Sequence, residues 1–330
     1  MVCETPFGMK GNGVYTAYVD SLELLREKED VEVVINRKGK GDVFHSHTYG
    51  PFYFWKGRKY RGKRVFTAHV IPDSGRGSLP LWKIAMPLGR WYLKKVYDYA
   101  DVCIAISPMV ASSIRELGVH TRIVSLANPI MVEHWKFTAE KRRQGRAMLG
   151  RGEDDFIVLG VGQLIERKGV EDFLDVAGAF PELQFVWAGG RPFGPLSDGL
   201  FKINARIARA PENVHFTGML GLEDMPLVYA AADIMLFTSY QENCPLAPLE
   251  AAACGLPVVF RDLAEYALLY NHPYLKAEST ASFVEMTRRL ATDKTFFHAG
   301  KNLSHQLITQ FDKNNIRKQL IEIYNSLVIN

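Results

Sequence analysis

Short apolar, β-branched runs alternate with amphipathic stretches from one end of the chain to the other. In the first half the runs read VEVVIN, DVFHSH, RVFTAH, DVCIAIS and RIVSLAN; in the second they read FIVLGVG, LQFVWAGG, VHFTGM, IMLFTS and PVVF. Runs that are apolar on both faces, with helical spacing between them, predict parallel sheets covered by helices on both sides. The basic, polar stretch KRRQGRAMLGRGEDD separates the two sets and reads as a linker. The pattern therefore predicts two doubly wound α/β domains facing each other across a cleft. They would span residues 1–149 and 150–311, with a last helix over 312–330 that could pack back on the first domain. The opening strand has only Val2, Cys3 and Glu4 before the chain turns. A strand that short is either stunted or reflects a start codon placed late.

Length and composition narrow the class. A chain of 330 residues can give two domains a core each. No apolar run is long enough to span a bilayer, and the N-terminus lacks a signal-peptide pattern. The four cysteines, Cys3, Cys103, Cys244 and Cys254, have no metal-ligand spacing and sit in apolar segments. A cytoplasmic setting follows as the expectation. The net charge of +4 conceals an asymmetry: residues 31–99 hold fourteen Lys and Arg against four Asp and Glu, which leaves the remainder at −6. One part of the chain is built to meet something anionic.

Three segments concentrate candidate chemistry at strand ends, where ligands bind in open α/β sheets. The stretch SYQENCPLAPLEAAACGLPVVF follows the strand IMLFTS, so Glu242 falls in a loop and Glu250 in the helix behind it. Amides of Asn243, Cys244, Leu246 and Ala247 can point at an anion there, although a glutamate also suits any first helical turn. In VGQLIERKGV, a strand-end glycine precedes Arg167, Lys168 and Gly169 at a helix start, a phosphate cradle without the P-loop pattern. GMKGNGVYTAYVD partly matches the dinucleotide fingerprint, with Thr16 in place of the third glycine. His45, His47 and His69 end neighbouring strands, and His69 is a candidate polar contact or proton carrier. No third ligand accompanies His45 and His47, so no metal site is expected.

Taken in order, these segments resemble the retaining glycosyltransferases of family 4, with the GT-B fold. The resemblance rests on two glutamates separated by seven residues and on GNGV, TAH, ADVCIAIS, SLANPI, VGQLIERKGV, FVWAGG, VHFTGML and VYAAADIMLFTSYQE along nearly the whole chain. It implies that Glu242 contacts donor-sugar hydroxyls and that Glu250 holds the ribose. It implies that Lys168 binds the diphosphate, with help from the loop Asn243, Cys244, Pro245 and Leu246 and from Gly13. Gly162, Gln163, Arg167 and Gly218 would complete the donor site, and His69 would sit at the reacting sugar. Catalytic roles would fall to His69, Glu242 and Lys168. Transfer would retain anomeric configuration and need neither metal nor cofactor beyond the UDP-sugar, because cations and amides stabilise the departing diphosphate.

Two departures stand out. The family usually has arginine where this chain has Gln163, and glycines where it has Asn243, Cys244 and Pro245. Arg167 is the residue that could replace the missing cation.

Three segments, VGQLIERKGVEDFLDVA, FVWAGGRPFGPLSDG and ENCPLAPLEA with FRDLAEY, are similar to a short-chain subgroup that glycosylates diacylglycerol or glycosyl-diacylglycerol. That likeness gives the basic segment a meaning. FYFWKGRKYRGKR offers Trp55, Lys56, Arg58, Lys59 and Arg61, and LPLWKIAMPLGRWYLKK offers Trp82, Lys83 and Trp91. Aromatics mixed with cations suit the headgroup layer of an anionic membrane, which places the chain peripherally on the inner face of the cell membrane. The expected partners are a UDP-hexose, that surface and its lipid acceptor. Two other readings stay open: the same chemistry on a soluble or polymer acceptor, and a non-catalytic anion binder on a degenerate scaffold. Nucleic acid belongs with the last and is not an expected partner.

Overall fold

The computed structural model describes residues 1, 3, 13–28, 30–36, 41–48, 50–75, 82–191 and 200–328. The first helix is α1 (Gly13–Arg26). It is followed by β1 (Val43–Ser46), α2 (Pro51–Gly57), β2 (Lys63–Ala68), α3 (Trp82–Asp98), β3 (Val102–Ala105), α4 (Pro108–Glu116) and β4 (Arg122–Ser125). The four strands pair in parallel in the order β1-β2-β3-β4. Then come α5 (Val132–Trp135), α6 (Ala139–Leu149), β5 (Ile157–Val161), α7 (Val170–Gly178), β6 (Gln184–Ala188), α8 (Leu200–Ile207) and β7 (Val214–Gly218). The chain continues through α9 (Met225–Ala231), β8 (Ile234–Phe237), α10 (Ala247–Ala253), β9 (Val258–Arg261), α11 (Ala264–Leu269) and β10 (Leu275–Ala277). Three helices close it: α12 (Thr280–Thr292), α13 (Lys294–Thr309) and α14 (Lys313–Val328). Here the sheet is also parallel, ordered β10-β9-β8-β5-β6-β7.

Two units result. Residues up to 130 together with 311–328 form the first, and 131–310 the second. The helix α14 packs on the first unit because its buried stripe, Ile316, Leu320 and Ile323, joins Leu24, Val65, Val102 and Ile104 in one core. The guanidinium of Arg317 donates to the Leu24 carbonyl at 2.7 Å, and Lys313 pairs with Glu27 at 2.9 Å.

The boundary expected near residue 150 lies instead at 130, and the stretch read as a linker is the helix α6 of the second unit. Its cations turn inward: Arg142 and the fully buried Arg146 reach Asp233 at 2.7 and 3.1 Å. Arg142 also donates to the carbonyls of Ala230 and Ala232, which end α9. A side chain at Gly145 would stand 2.0 Å from the Leu227 carbonyl oxygen, so the two helices touch backbone to backbone there. Polarity in the sequence concealed a packed contact.

The first strand, Val2 to Glu4, lies mostly outside the described residues. The run 31–36, also expected as a strand, has no regular ladder among the described residues. It pairs with Met1 and Cys3 instead, through the bond of the N-terminal amine to the Val34 carbonyl at 2.7 Å and through both edges of Asn36.

Candidate active site

The second sheet has the strand order of a doubly wound fold, with its reversal between β5 and β8. Chain leaving β5 and chain leaving β8 therefore emerge side by side, beyond the carboxyl ends of adjacent strands. The first brings Gly162, Gln163, Arg167 and Lys168; the second brings Glu242 and, through α10, Glu250.

Close approach of the two loops is enforced by glycines. Gly169 has φ +69°, and a Cβ there would meet the Thr238 carbonyl oxygen at 2.1 Å. The Thr238 hydroxyl donates to the Lys168 carbonyl at 3.0 Å, and the Tyr240 amide to that of Arg167 at 2.8 Å. At Gly162, with φ +153°, a Cβ would stand 3.2 Å from Cδ of the Lys168 stem, and its carbonyl accepts the Trp187 indole N–H at 2.9 Å. Gly218 ends β7 with φ +70°, and its carbonyl accepts the Gly189 amide at 3.0 Å. That glycine shapes the neighbouring strand end.

Lys168, half-buried, and the buried Glu242 form an ion pair through Nζ and Oε1. Burial lowers the ammonium's pKa, and the carboxylate opposes that shift. Arg167 donates to the Gln241 carbonyl at 2.9 Å and stands 3.8 Å from Glu242. Its guanidinium thus braces the loop, as well as adding positive charge beside Lys168. Asn243 is half-buried; Cys244, Pro245 and Leu246 are buried as the chain enters α10.

A second brace was not read from the sequence. Arg261, at the end of β9, donates to the Thr238 carbonyl at 2.9 Å and pairs with Asp172 of α7 at 2.7 Å. Its guanidinium lies 3.9 Å from the centre of the Tyr240 ring, whose hydroxyl donates to the same Asp172 carboxylate at 2.6 Å. Loop 238–242 is so fixed from both sides.

Glu250 is buried in the first turn of α10 and accepts a hydrogen bond from the Tyr229 hydroxyl at 2.6 Å. Burial pushes its carboxyl up to about 7, and the Tyr229 bond works against that rise. The sheet-end carboxylates are thus unlike: one is ion-paired, the other near its point of titration.

In the first unit, β1 and β2 end in three imidazoles. Nδ1 of His47 and Nε2 of His69 are 3.2 Å apart, and His45 spans Tyr324 and Thr67 at 2.5 and 2.7 Å. Burial lowers all three, His69 to about 4. His69 is therefore a neutral donor or acceptor at neutral pH. Gly13 is the exposed first residue of α1.

Trp55 and Trp91 are each 58% exposed. Lys56, Arg58, Lys59 and Arg61 are exposed around α2, with Arg58 5.0 Å from the Trp55 ring centre. The side chains of Trp82 and Lys83 lie outside the described ones. Among the described residues no three His, Cys, Asp or Glu could hold a metal ion, and no helix is long and apolar enough to cross a membrane.

Two parallel-sheet α/β units, the second with the strand order of a doubly wound fold, are the architecture of the GT-B glycosyltransferases. The Glycosyltransferase Family 4 model matches residues 17–134, and that of the group 1 glycosyl transferases matches 141–274. Alpha-galactosylglucosyldiacylglycerol synthase of Streptococcus pneumoniae is 30% identical over 306 residues, which cover 90% of this chain and 82% of that one. The processive diacylglycerol alpha-glucosyltransferase of Acholeplasma laidlawii is 26% identical, over 86% and 84%. Anabaena HepE, solved with UDP and glucose, superposes with a TM-score of 0.76 at 18% identity over 99% and 98%. The chain belongs to the family 4 glycosyltransferases.

Proposed function

We propose that this protein moves a hexose from a UDP-sugar to diacylglycerol or a glycosyl-diacylglycerol, with retention and without a metal, at the anionic inner face of the cell membrane. The observation that carries the reading is the Lys168–Glu242 pair beyond β5 and β8, with Glu250 buried in the helix that follows. Lys168 and the loop amides supply positive charge where a diphosphate departs, Glu242 takes sugar hydroxyls and Glu250 the ribose. Arg167 adds a second cation near Lys168. The names of the two curated relatives supply the acceptor class. Exposed Trp55 and Trp91 with the cations around α2 supply a surface suited to such an acceptor.

The test is UDP release from UDP-glucose and UDP-galactose, with and without anionic vesicles containing diacylglycerol or its monoglucosyl form. Release that requires the lipid supports the reading. Release driven equally by soluble sugars would replace the acceptor, and a folded, UDP-binding protein that never turns over would remove the catalytic reading.

The surface has its own test. Replacing Lys56, Arg58, Lys59 and Arg61 by glutamine removes four charges, each worth on the order of 1 kcal/mol near an anionic surface. Partitioning onto vesicles rich in anionic lipid should fall about a hundredfold or more, while UDP affinity stays as it was. Unchanged sedimentation with vesicles would return this segment to an ordinary solvated face.

A further inference from the structure

We infer that Tyr229 is a positioning residue for the donor: its hydroxyl fixes Glu250 and holds it as the carboxylate that a ribose needs. The inference rests on the reading of Glu250 as the ribose contact. It is carried by geometry that the donor loop itself does not contain.

Tyr229 is fully buried on α9, twenty-one positions before its partner in the chain, and its hydroxyl meets Oε2 of Glu250 at 2.6 Å. Among the described residues the other carboxylate oxygen, Oε1, has no hydrogen-bond partner, so one oxygen is anchored and one is left to accept from a ligand. The phenol cannot turn away. The buried Trp135 of α5 stands edge-on to its ring, 5.6 Å between centres and 83° between planes. Behind α9 runs α6, in backbone contact at Gly145. The helices α5 and α6, the second of which resembled a linker in sequence, are thus the wall that keeps this tyrosine in place.

The electrostatics agree with that role. Burial and the adjoining carboxylate push Tyr229 well above its ordinary range, so the phenol keeps its proton and remains able to donate. Other titratable groups stand on the surrounding elements: Glu133 and His134 on α5, Arg261 on β9, and Lys301 on α13. Lys141, Arg142 and Lys301 act on Cys254, at the far end of α10. Only burial and Tyr229 act on Glu250. A hydrogen bond donated to a carboxylate favours its charged form, so losing this one raises the pKa further.

The sign of the expected effect follows. Below about pH 7 Glu250 is neutral and a poorer acceptor for ribose hydroxyls, so the donor KM rises as pH falls through that region. Tyr229→Phe keeps the ring and removes the bond. The inflexion in donor KM should move up by about one pH unit, and KM at pH 7 should rise about fivefold, with kcat within about twofold.

Glu250→Gln separates the two ideas: its KM should be raised and should lose the inflexion. A Glu250→Gln protein with wild-type KM overturns the ribose reading itself. A raised, flat KM in Glu250→Gln together with an unmoved inflexion in Tyr229→Phe overturns the role of Tyr229 alone. If Tyr229→Phe does not fold, Trp135→Phe loosens the same phenol from behind and should move the inflexion the same way by less. An unmoved inflexion there counts against the proposal.

Discussion

Glu242→Gln should abolish most sugar transfer while leaving UDP affinity unchanged or improved. The carboxylate is paired with the Lys168 ammonium and lies 3.8 Å from Arg167. Hydrogen bonds from sugar hydroxyls to a charged acceptor are worth about 1.5–3 kcal/mol each. Losing two of them should cost kcat/KM roughly a hundredfold to ten-thousandfold. The diphosphate behaves differently. On the proposed reading Glu242 competes with it for the Lys168 charge, so the neutral amide should release that cation to UDP. Isothermal calorimetry with UDP, beside turnover with the UDP-sugar, resolves the two effects. A variant that transfers sugar at the wild-type rate would sink the role given to Glu242. One that loses UDP binding as well would mean that the carboxylate's main work is to keep Lys168 charged and in place.

Gly169→Ala should badly damage the candidate site with a single methyl group. At φ +69° any other residue pays about 1–2 kcal/mol for the left-handed backbone. The new carbon would also stand 2.1 Å from the Thr238 carbonyl oxygen, and overpacking of that kind typically costs a further 1–3 kcal/mol. Relief requires the Lys168 turn and the end of β8 to separate. That breaks the Thr238 bond to the Lys168 carbonyl and the Tyr240 bond to the Arg167 carbonyl, and it draws Lys168 away from Glu242. Stability should therefore fall by about 2–5 kcal/mol and transfer by several hundredfold. Gly150→Ala is the matched control: it has φ +63° but nothing within 4 Å of a built Cβ. It should lose only the backbone part, about 1–2 kcal/mol, and keep full activity. Thermal unfolding and UDP-sugar turnover of the two variants decide the matter. Equal behaviour would show that the loop contact at Thr238 is unimportant to the site.

The helix α6 shows how far local pattern can be trusted. Its lysines, arginines and glycines read as solvated linker, yet Arg142 and Arg146 serve Asp233 and the carbonyls ending α9. Sequence polarity reports the cost of burying a charge but not whether a partner will arrive from some ninety residues away. The short strand β10 was missed for a related reason: LKA is three residues long, follows Pro273 and holds the edge of the sheet, where little apolar patterning is required. Most of the other strands were legible because a parallel strand covered on both faces must be apolar throughout.

By itself the sequence determined that two parallel α/β units form, that the loops carrying Glu242 and Lys168 follow IMLFTS and FIVLGVG, and that Lys168, Glu242 and Glu250 belong to one family pattern. These features are local: apolar runs, glycines at strand ends and a fixed spacing between two carboxylates. Tertiary structure alone decided where Arg167 points, that Arg261 and Asp172 clamp Tyr240, and that Tyr229 with Trp135 behind it holds Glu250. Each of those is a contact between elements far apart in the chain. Its geometry is set by sheet order and helix packing, which bring β5 beside β8 and α9 beside α10, and no residue pattern along one segment encodes it.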